Sequence, residues 1–228
     1  VELSGRIEVN IFSQASLQSQ RERMVRLQLA ERGIRDTRVL AAMGAVPRHE
    51  YVPEPLRQEA YEDHPLPIGE GQTISQPYIV AAMLDHLALQ ASDRVLEVGT
   101  GSGYVTALLS ELCAEVFSVE RYASLAASAE ANLLRLGFRN VRIKVGDGSL
   151  GWSEAAPFDA ILVSAATAEV PPALIEQLKE GGRLILPVGS PASQELWLIR
   201  SFDGRHETRV LEGCRFVPLV GGEVWREL

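Results

Sequence analysis

The sequence predicts a doubly wound α/β fold: a mostly parallel, seven-stranded sheet with antiparallel C-terminal strands and an N-terminal lobe of helices and loop. Three observations carry this reading. From residue 79 onward, short apolar runs alternate with stretches of helical spacing, the rhythm of parallel strands joined by crossover helices. One apolar run, Val95 to Val98, leads directly into the glycine-rich segment Gly99-Thr100-Gly101-Ser102-Gly103. The last two apolar runs flank Asp203-Gly204, a strong two-residue hairpin signal.

Residues 1–20 are polar with scattered apolar positions and read as a flexible arm. From Arg21 the pattern turns helical, with Met24, Val25, Leu27 and Leu29 on a broad apolar face that Gly33 interrupts. Asp36 is placed to cap a second helix carrying Val39, Met43 and Val46, closed by Pro47. Between Pro47 and Pro77 lie six prolines, both ends included, together with Gly69 and Gly71. Such a stretch cannot be a long helix or a central strand. Its interleaved Tyr51, Tyr61, Ile68 and Ile74 predict an ordered, packed loop, and a loop of this length in a compact domain is usually functional.

Beyond it, helices are expected at Ile79–Leu89, Tyr104–Cys113, Ser124–Leu136 and Pro171–Lys179. Strands are expected at Arg94–Val98, Val116–Val119, Val141–Val145, Phe158–Val163, Arg183–Pro187, Glu195–Ser201 and Glu207–Leu211. The chain thus divides into the arm 1–20, a substrate-side lobe 21–78 and a cofactor-binding sheet 79–228, within one integrated domain. The order of the last two strands stays open.

With 228 residues and 46% hydrophobic composition, the chain can bury a full core without staples. The composition excludes collagen-like, disulfide-dense and wholly disordered classes. A formal net charge of −8 argues against nonspecific nucleic-acid binding, which needs a basic surface. Cys113 and Cys214 follow no metal or redox spacing and read as reduced thiols of a cytosolic protein. His49, His64, His86 and His206 show no ligand spacing, so no metal is expected. Trp152, Trp197 and Trp225 read as packing groups. There is no secretory pattern at the N-terminus and no apolar span long enough to cross a bilayer, so a cytoplasmic location and no membrane partner are expected.

The glycine turn lies at the carboxyl end of a central strand, where open α/β sheets bind ligands. The dinucleotide fingerprint G-x-G-x-x-G places its third glycine where this chain has Tyr104, and the close helix–strand approach is lost with it. An acid, Glu97, stands two residues before Gly99. Beside the loop it suits a cationic ligand better than a pyrophosphate. S-adenosylmethionine carries a sulfonium and an ammonium and no phosphate, so the pattern favours it over a nicotinamide dinucleotide. Glu120 ends the second strand of the sheet, where a carboxylate can accept both ribose hydroxyls, or cap the next helix. Asp147, in Gly146-Asp147-Gly148, ends the third, where it can receive the adenine amino group or simply form a turn.

With these residues in hand, the chain resembles the protein-L-isoaspartate O-methyltransferases, Rossmann-like class I S-adenosylmethionine-dependent enzymes. The glycine loop alone indicates only a class I methyltransferase. The closer resemblance rests on the signature segment Pro67 to Tyr78, with Thr73-Ile74-Ser75-Gln76-Pro77 at its centre, and on Val46 to Pro53 upstream. Two later blocks, Pro157 to Val163 and Leu178 to Gly189, and the closing Arg215-Phe216-Val217-Pro218-Leu219 also match, so the likeness runs from about Arg21 to Leu219. Val105 and the stretch Ser164 to Ala168 depart from the common pattern, and residues 1–20 have no counterpart.

The resemblance implies methyl transfer from S-adenosylmethionine to the α-carboxyl of L-isoaspartyl residues in damaged proteins and peptides, leaving S-adenosylhomocysteine and initiating repair. It assigns Ser75 to catalysis, although a serine there could also cap the helix after Pro77. It places Thr73, Ile74, Ser75, Glu97, Gly99, Thr100, Gly101, Ser102, Glu120, Asp147 and Gly148 around the cofactor. Gln76, Val217 and Pro218 fall to the substrate, with Val46 and Pro47 joining the last two in an extended-chain rim or packing in the core. A monomer is expected. Alternatives are a class I methyltransferase for another carboxylate or small molecule, a silent binding module, and a dehydrogenase that Tyr104 and Glu97 disfavour.

Overall fold

A computed structural model describes residues 15–221. Residues 15–23 form helix α1, so the arm expected over 1–20 is already helical at residue 15, and residues 1–14 lie outside the described part. Leu17 and Met24, seven residues apart, are both buried and anchor this helix. It widens over Met24–Leu29, tightens over Ala30–Arg32, and ends at Gly33. Helix α2 (Thr37–Ala45) starts as expected, with Asp36 Oδ1 accepting the Arg38 amide at 2.8 Å, and stops ahead of Pro47.

The proline-rich stretch is ordered but is more than a loop. Short 3-10 turns at Arg48–Tyr51 and Glu54–Glu59 precede an antiparallel hairpin of β1 (Leu66–Gly69) and β2 (Gln72–Ile74). Its turn has Glu70 at φ 52° and Gly71 at φ 68°, the left-handed pair that two-residue hairpins require. A two-stranded ribbon tolerates Pro67 because its missing N–H leaves no inner ladder position empty.

Helix α3 (Pro77–Leu87) leads into the main sheet. Its strands are β3 (Arg94–Val98), β4 (Glu115–Glu120), β5 (Val141–Val145), β6 (Phe158–Val163), β7 (Leu178–Ser190), β8 (Ser193–Phe202) and β9 (Arg205–Cys214), ordered β5-β4-β3-β6-β7-β8-β9. The β5 to β7 pairings are parallel, and β7-β8-β9 is an antiparallel meander. The expected fold class is therefore observed, and the order of the last two strands is a simple up-and-down return. Asp203 and Gly204 form the final hairpin turn, both with positive φ. Helices α4 (Tyr104–Leu112), α5 (Ala123–Arg135) and α6 (Pro172–Glu176) complete the winding. The helix expected to reach Lys179 stops at Glu176, because Leu178 already pairs with Phe158 in the sheet.

Alternation along the strands divides the core into two layers. Val95, Val116, Leu162 and Ile185 pack with Leu84 of α3 and Leu108 of α4 on one face. Leu96, Phe117, Ile161 and Leu184 pack with Leu174 of α6 on the other. Both faces are covered, so the inner parallel strands β3, β4 and β6 read as near-continuous apolar runs, while the edge strand β5 alternates. Glu97 is the exception in β3. No helix among the described residues is long and apolar enough to cross a membrane.

Candidate active site

The carboxyl ends of β3, β4 and β6 open into a cleft of about 760 Å³. Gly99, Thr100, Gly101 and Ser102 of the glycine turn border it, as do Glu120, Gly148, and Thr73, Ile74 and Ser75 from the hairpin side. Gly103 adopts φ 87°, and a Cβ there would sit 3.2 Å from Ala129 Cβ on α5. The close approach that a dinucleotide loop makes at its last glycine is thus made one position earlier, against α5. Gly148 brings the chain so near β3 that an added Cβ would meet Val98 Cγ1 at 2.4 Å.

The three acids have three different fates. Glu120 is buried on the cleft wall, its Oε2 accepting the Gly101 amide at 2.8 Å and its Oε1 the Tyr122 amide at 2.9 Å. Each carboxylate oxygen can accept a second hydrogen bond, so the group is fixed in place and still able to take a pair of hydroxyls. Glu97 does not border the cleft. It is fully buried behind the loop, with Oε2 accepting from Thr106 Oγ1 at 2.5 Å and from Ser118 Oγ at 2.6 Å. Burial pushes its carboxyl up to about 8, against the opposing effect of the Ser118 and Thr106 hydrogen bonds. At neutral pH it is mostly uncharged, which corrects the expectation that it faces a cationic ligand. Its place is to brace the loop: Ser118 also hydrogen-bonds Thr100 Oγ1 at 2.6 Å.

Asp147 likewise leaves the cleft wall to its neighbour Gly148. Its Oδ1 accepts the Ser149 amide at 2.9 Å and the Ser149 hydroxyl at 2.7 Å, capping the 3-10 turn Gly148–Leu150. The turn-forming role is displayed by this geometry, and Asp147 stands directly beside Gly148 of the cleft wall.

A second groove, of about 1000 Å³, adjoins the cleft. Gln76, Tyr78, Arg32, Glu212, Arg215 and Phe216 are among its walls. Thr73, Ser75, Ser164 and Val217 border both cavities, so molecules held in the two would meet there. Ser75 does not cap α3: Gln76 stands at the cap position without a side-chain bond, and Asp63 Oδ1 takes the Tyr78 amide at 3.0 Å. The Ser75 hydroxyl makes no hydrogen bond among the described residues.

Val217 borders both cavities and Pro218 the cleft alone. Their segment is strapped to the end of β6, with the Ala166 amide donating to Val217 O at 2.8 Å and the Leu219 amide to Ala166 O at 2.7 Å. These backbone groups are therefore already engaged. Val46 is buried in the core of the lobe, and neither it nor Pro47 borders the cleft or the groove, so of the four residues expected in the rim Val217 and Pro218 are the ones at these cavities.

Sequence reasoning passed over several residues that the fold brings to the site. Ser164 follows β6 and its amide donates to Val98 O at 2.8 Å, so it sits at the same sheet edge as the glycine turn. Its position at a strand's carboxyl end was the available signal. Arg121 and Tyr122 border the cleft, and the Arg121 guanidinium donates to Val220 O at 2.8 Å, tying the chain's closing segment across the opening.

The glycine cradle, the anchored Glu120 acceptors and the adjoining groove fit S-adenosylmethionine and a carboxylate partner. Among the described residues no group of three His, Cys, Asp or Glu could hold a metal ion.

Comparison with known proteins agrees with this geometry. Residues 19–224 match the family model described as protein-L-isoaspartate(D-aspartate) O-methyltransferase (PCMT). A protein-L-isoaspartate O-methyltransferase 2 from Marinobacter nauticus is 56% identical over 207 residues, 90% of this chain and 94% of its own. A protein-L-isoaspartate O-methyltransferase from Methanoculleus marisnigri is 55% identical over 207 residues, 91% of this chain and 94% of its own. Among solved structures, a protein-L-isoaspartate O-methyltransferase superposes with a TM-score of 0.79 at 32% identity, covering 90% of this chain and 67% of that one. A putative one from Plasmodium falciparum, solved with S-adenosyl-L-homocysteine, gives 0.78 at 30% identity, covering 88% of this chain and 98% of that one. With most of its length matched and the site assembled as described, this chain belongs to the protein-L-isoaspartate(D-aspartate) O-methyltransferase family.

Proposed function

We propose that this enzyme methylates the α-carboxyl of L-isoaspartyl residues in damaged proteins and peptides, using S-adenosylmethionine, by bringing cofactor and substrate together at Ser75. One observation carries the reading: Thr73, Ser75, Ser164 and Val217 form the common wall of the cleft and the adjoining groove.

When bound, S-adenosylmethionine supplies a methyl group activated by its positive sulfur, which a carboxylate oxygen takes as the carbon–sulfur bond breaks. An α-carboxyl has a pKa of about 3.5 and is already ionised at neutral pH, so the chain needs no general base. Its task is orientation and exclusion of water. The Ser75 hydroxyl donates to one carboxylate oxygen and leaves the other aimed across the wall into the cleft. A hydroxyl does this without neutralising the nucleophile, as a lysine would. The Glu120 carboxylate, held by two backbone amides, accepts the ribose hydroxyls and sets the depth of the cofactor. Gln76 adds an amide on the groove side.

The proposal also includes a monomer acting in the cytoplasm, with neither nucleic acid nor membrane as partner. One chain supplies the lining described for both cavities, Cys113 and Cys214 are free thiols, and the net charge is −8. The enzymatic reading is tested by offering labelled S-adenosylmethionine with matched peptides that contain aspartate or isoaspartate. Base-labile label on the isoaspartyl peptide alone supports it, and label on neither peptide overturns it.

A further inference from the structure

Because the Ser75 hydroxyl has no partner of its own, its direction depends on how the backbone is held on either side. On the N-terminal side the hold is the hairpin, where Ile74 pairs with Leu66 and Thr73 with Pro67. On the C-terminal side α3 holds the backbone through one long bond, from the Val80 amide to the Gln76 carbonyl at 3.3 Å. Its first residue is Pro77, which has no N–H, and its cap residue Gln76 makes no side-chain bond to the helix.

A second and shorter hold comes from Asp63, on the loop before the hairpin. Its Oδ1 accepts the Tyr78 amide at 3.0 Å, while its Oδ2 faces Gln76 Nε2 at 3.5 Å and pairs with Arg32. One carboxylate therefore touches both residues that follow Ser75 and precede or open the helical turn, apart from the proline between them. The Arg32 guanidinium lies 3.7 Å from the centre of the Tyr78 ring, and Arg32, Tyr78 and Glu212 all line the groove. Arg32 also sets a positive charge beside Asp63, so the carboxylate does not present a bare negative charge to an anionic substrate entering the groove.

We propose that Asp63 is a positioning residue for methyl transfer, which fixes the Ser75 hydroxyl between cleft and groove by holding the Tyr78 amide and the Gln76 side chain. The proposal rests on the role given to Ser75 above. Displacement of a positioned group by about 1 Å can cost up to about a hundredfold in rate, so a loosened but still folded segment has a kinetic signature.

The test is a double-mutant cycle with an isoaspartyl peptide. Asp63→Ala is expected to lower kcat about tenfold while leaving the cofactor KM within about twofold. Asp63→Asn, whose amide oxygen still accepts the Tyr78 amide, is expected to restore most of that loss. In a Ser75→Ala background, Asp63→Ala is expected to cost nothing further, because the group it positions is already gone. If Ser75→Ala is slow but Asp63→Ala costs the same factor in both backgrounds, Asp63 is a scaffold residue and this proposal falls alone. If Ser75→Ala turns over like the wild type, the reading of Ser75 falls and this proposal with it.

Discussion

Ser75→Ala is expected to lower kcat for an isoaspartyl peptide by about 10- to 100-fold, with cofactor affinity within about threefold of wild type. The magnitude follows from one hydrogen bond to a charged partner, about 1.5–3 kcal/mol. The selectivity for kcat follows from where the side chain stands. Ser75 borders both cavities but bonds to nothing in either wall, so its removal leaves the Glu120 anchor and the glycine turn untouched. The fold is spared for the same reason, because the helix that follows is capped by Asp63 rather than by this hydroxyl. Steady-state kinetics and calorimetric titration of S-adenosylhomocysteine separate the two quantities. Equal loss of turnover and affinity would identify Ser75 as a structural residue.

Glu120→Ala is expected to act on the other side of the wall, weakening cofactor binding by about 100-fold or more. Two charge-assisted bonds to ribose hydroxyls disappear, each worth about 1.5–3 kcal/mol. The variant also strips the acceptor from the Gly101 and Tyr122 amides, so the loop that shapes the cleft is loosened as well. Glu120→Gln keeps an acceptor oxygen for one of these amides and is expected to lie between wild type and alanine. At saturating cofactor the loss in kcat is expected to be much smaller than the loss in affinity. Unchanged affinity in Glu120→Ala would remove this residue from the ribose site.

The fold and the site differ in how much of each could be read before any coordinates. Strands β3, β4 and β6 were legible because both faces of an inner parallel strand are buried, which leaves near-continuous apolar runs, and the edge strand β5 by its alternation of Val141, Ile143 and Val145 with Arg142 and Lys144. The β1–β2 hairpin was hidden because its turn puts Glu70, an unusual residue for a left-handed conformation, at φ 52°, and because Pro67 argues against a strand. The shortening of α6 was equally invisible locally, since helical spacing continues through residues whose sheet pairing with Phe158 prevails.

Glu120 and the glycine turn belong to one local motif and could be placed from it. Ser75 could be named only through resemblance, because no spacing links it to Glu120. Arg32 and Glu212 reach the site from two remote segments, and nothing in their neighbourhoods announces it, whereas Ser164 is signalled only by its place at the carboxyl end of β6. Glu97 was misread for an instructive reason. Strand alternation sets it on the same face as Ser118 and Glu120, so parity gives no warning; it lies further back from the strand end, where Ser118 and Thr106 of α4 enclose it. The negative charge credited to the cleft is correspondingly smaller, and Glu120 carries it.

In the proposed mechanism Ser75 receives the substrate carboxylate where cleft and groove meet. The most direct test of this mechanism is a crystal structure of the enzyme with S-adenosylhomocysteine and an isoaspartyl peptide. A carboxylate oxygen is expected at about 2.5–3.0 Å from Ser75 Oγ, with the ribose hydroxyls on Glu120. A peptide whose isoaspartyl carboxylate lies away from Ser75, with its other oxygen not facing the cofactor sulfur, would contradict the mechanism.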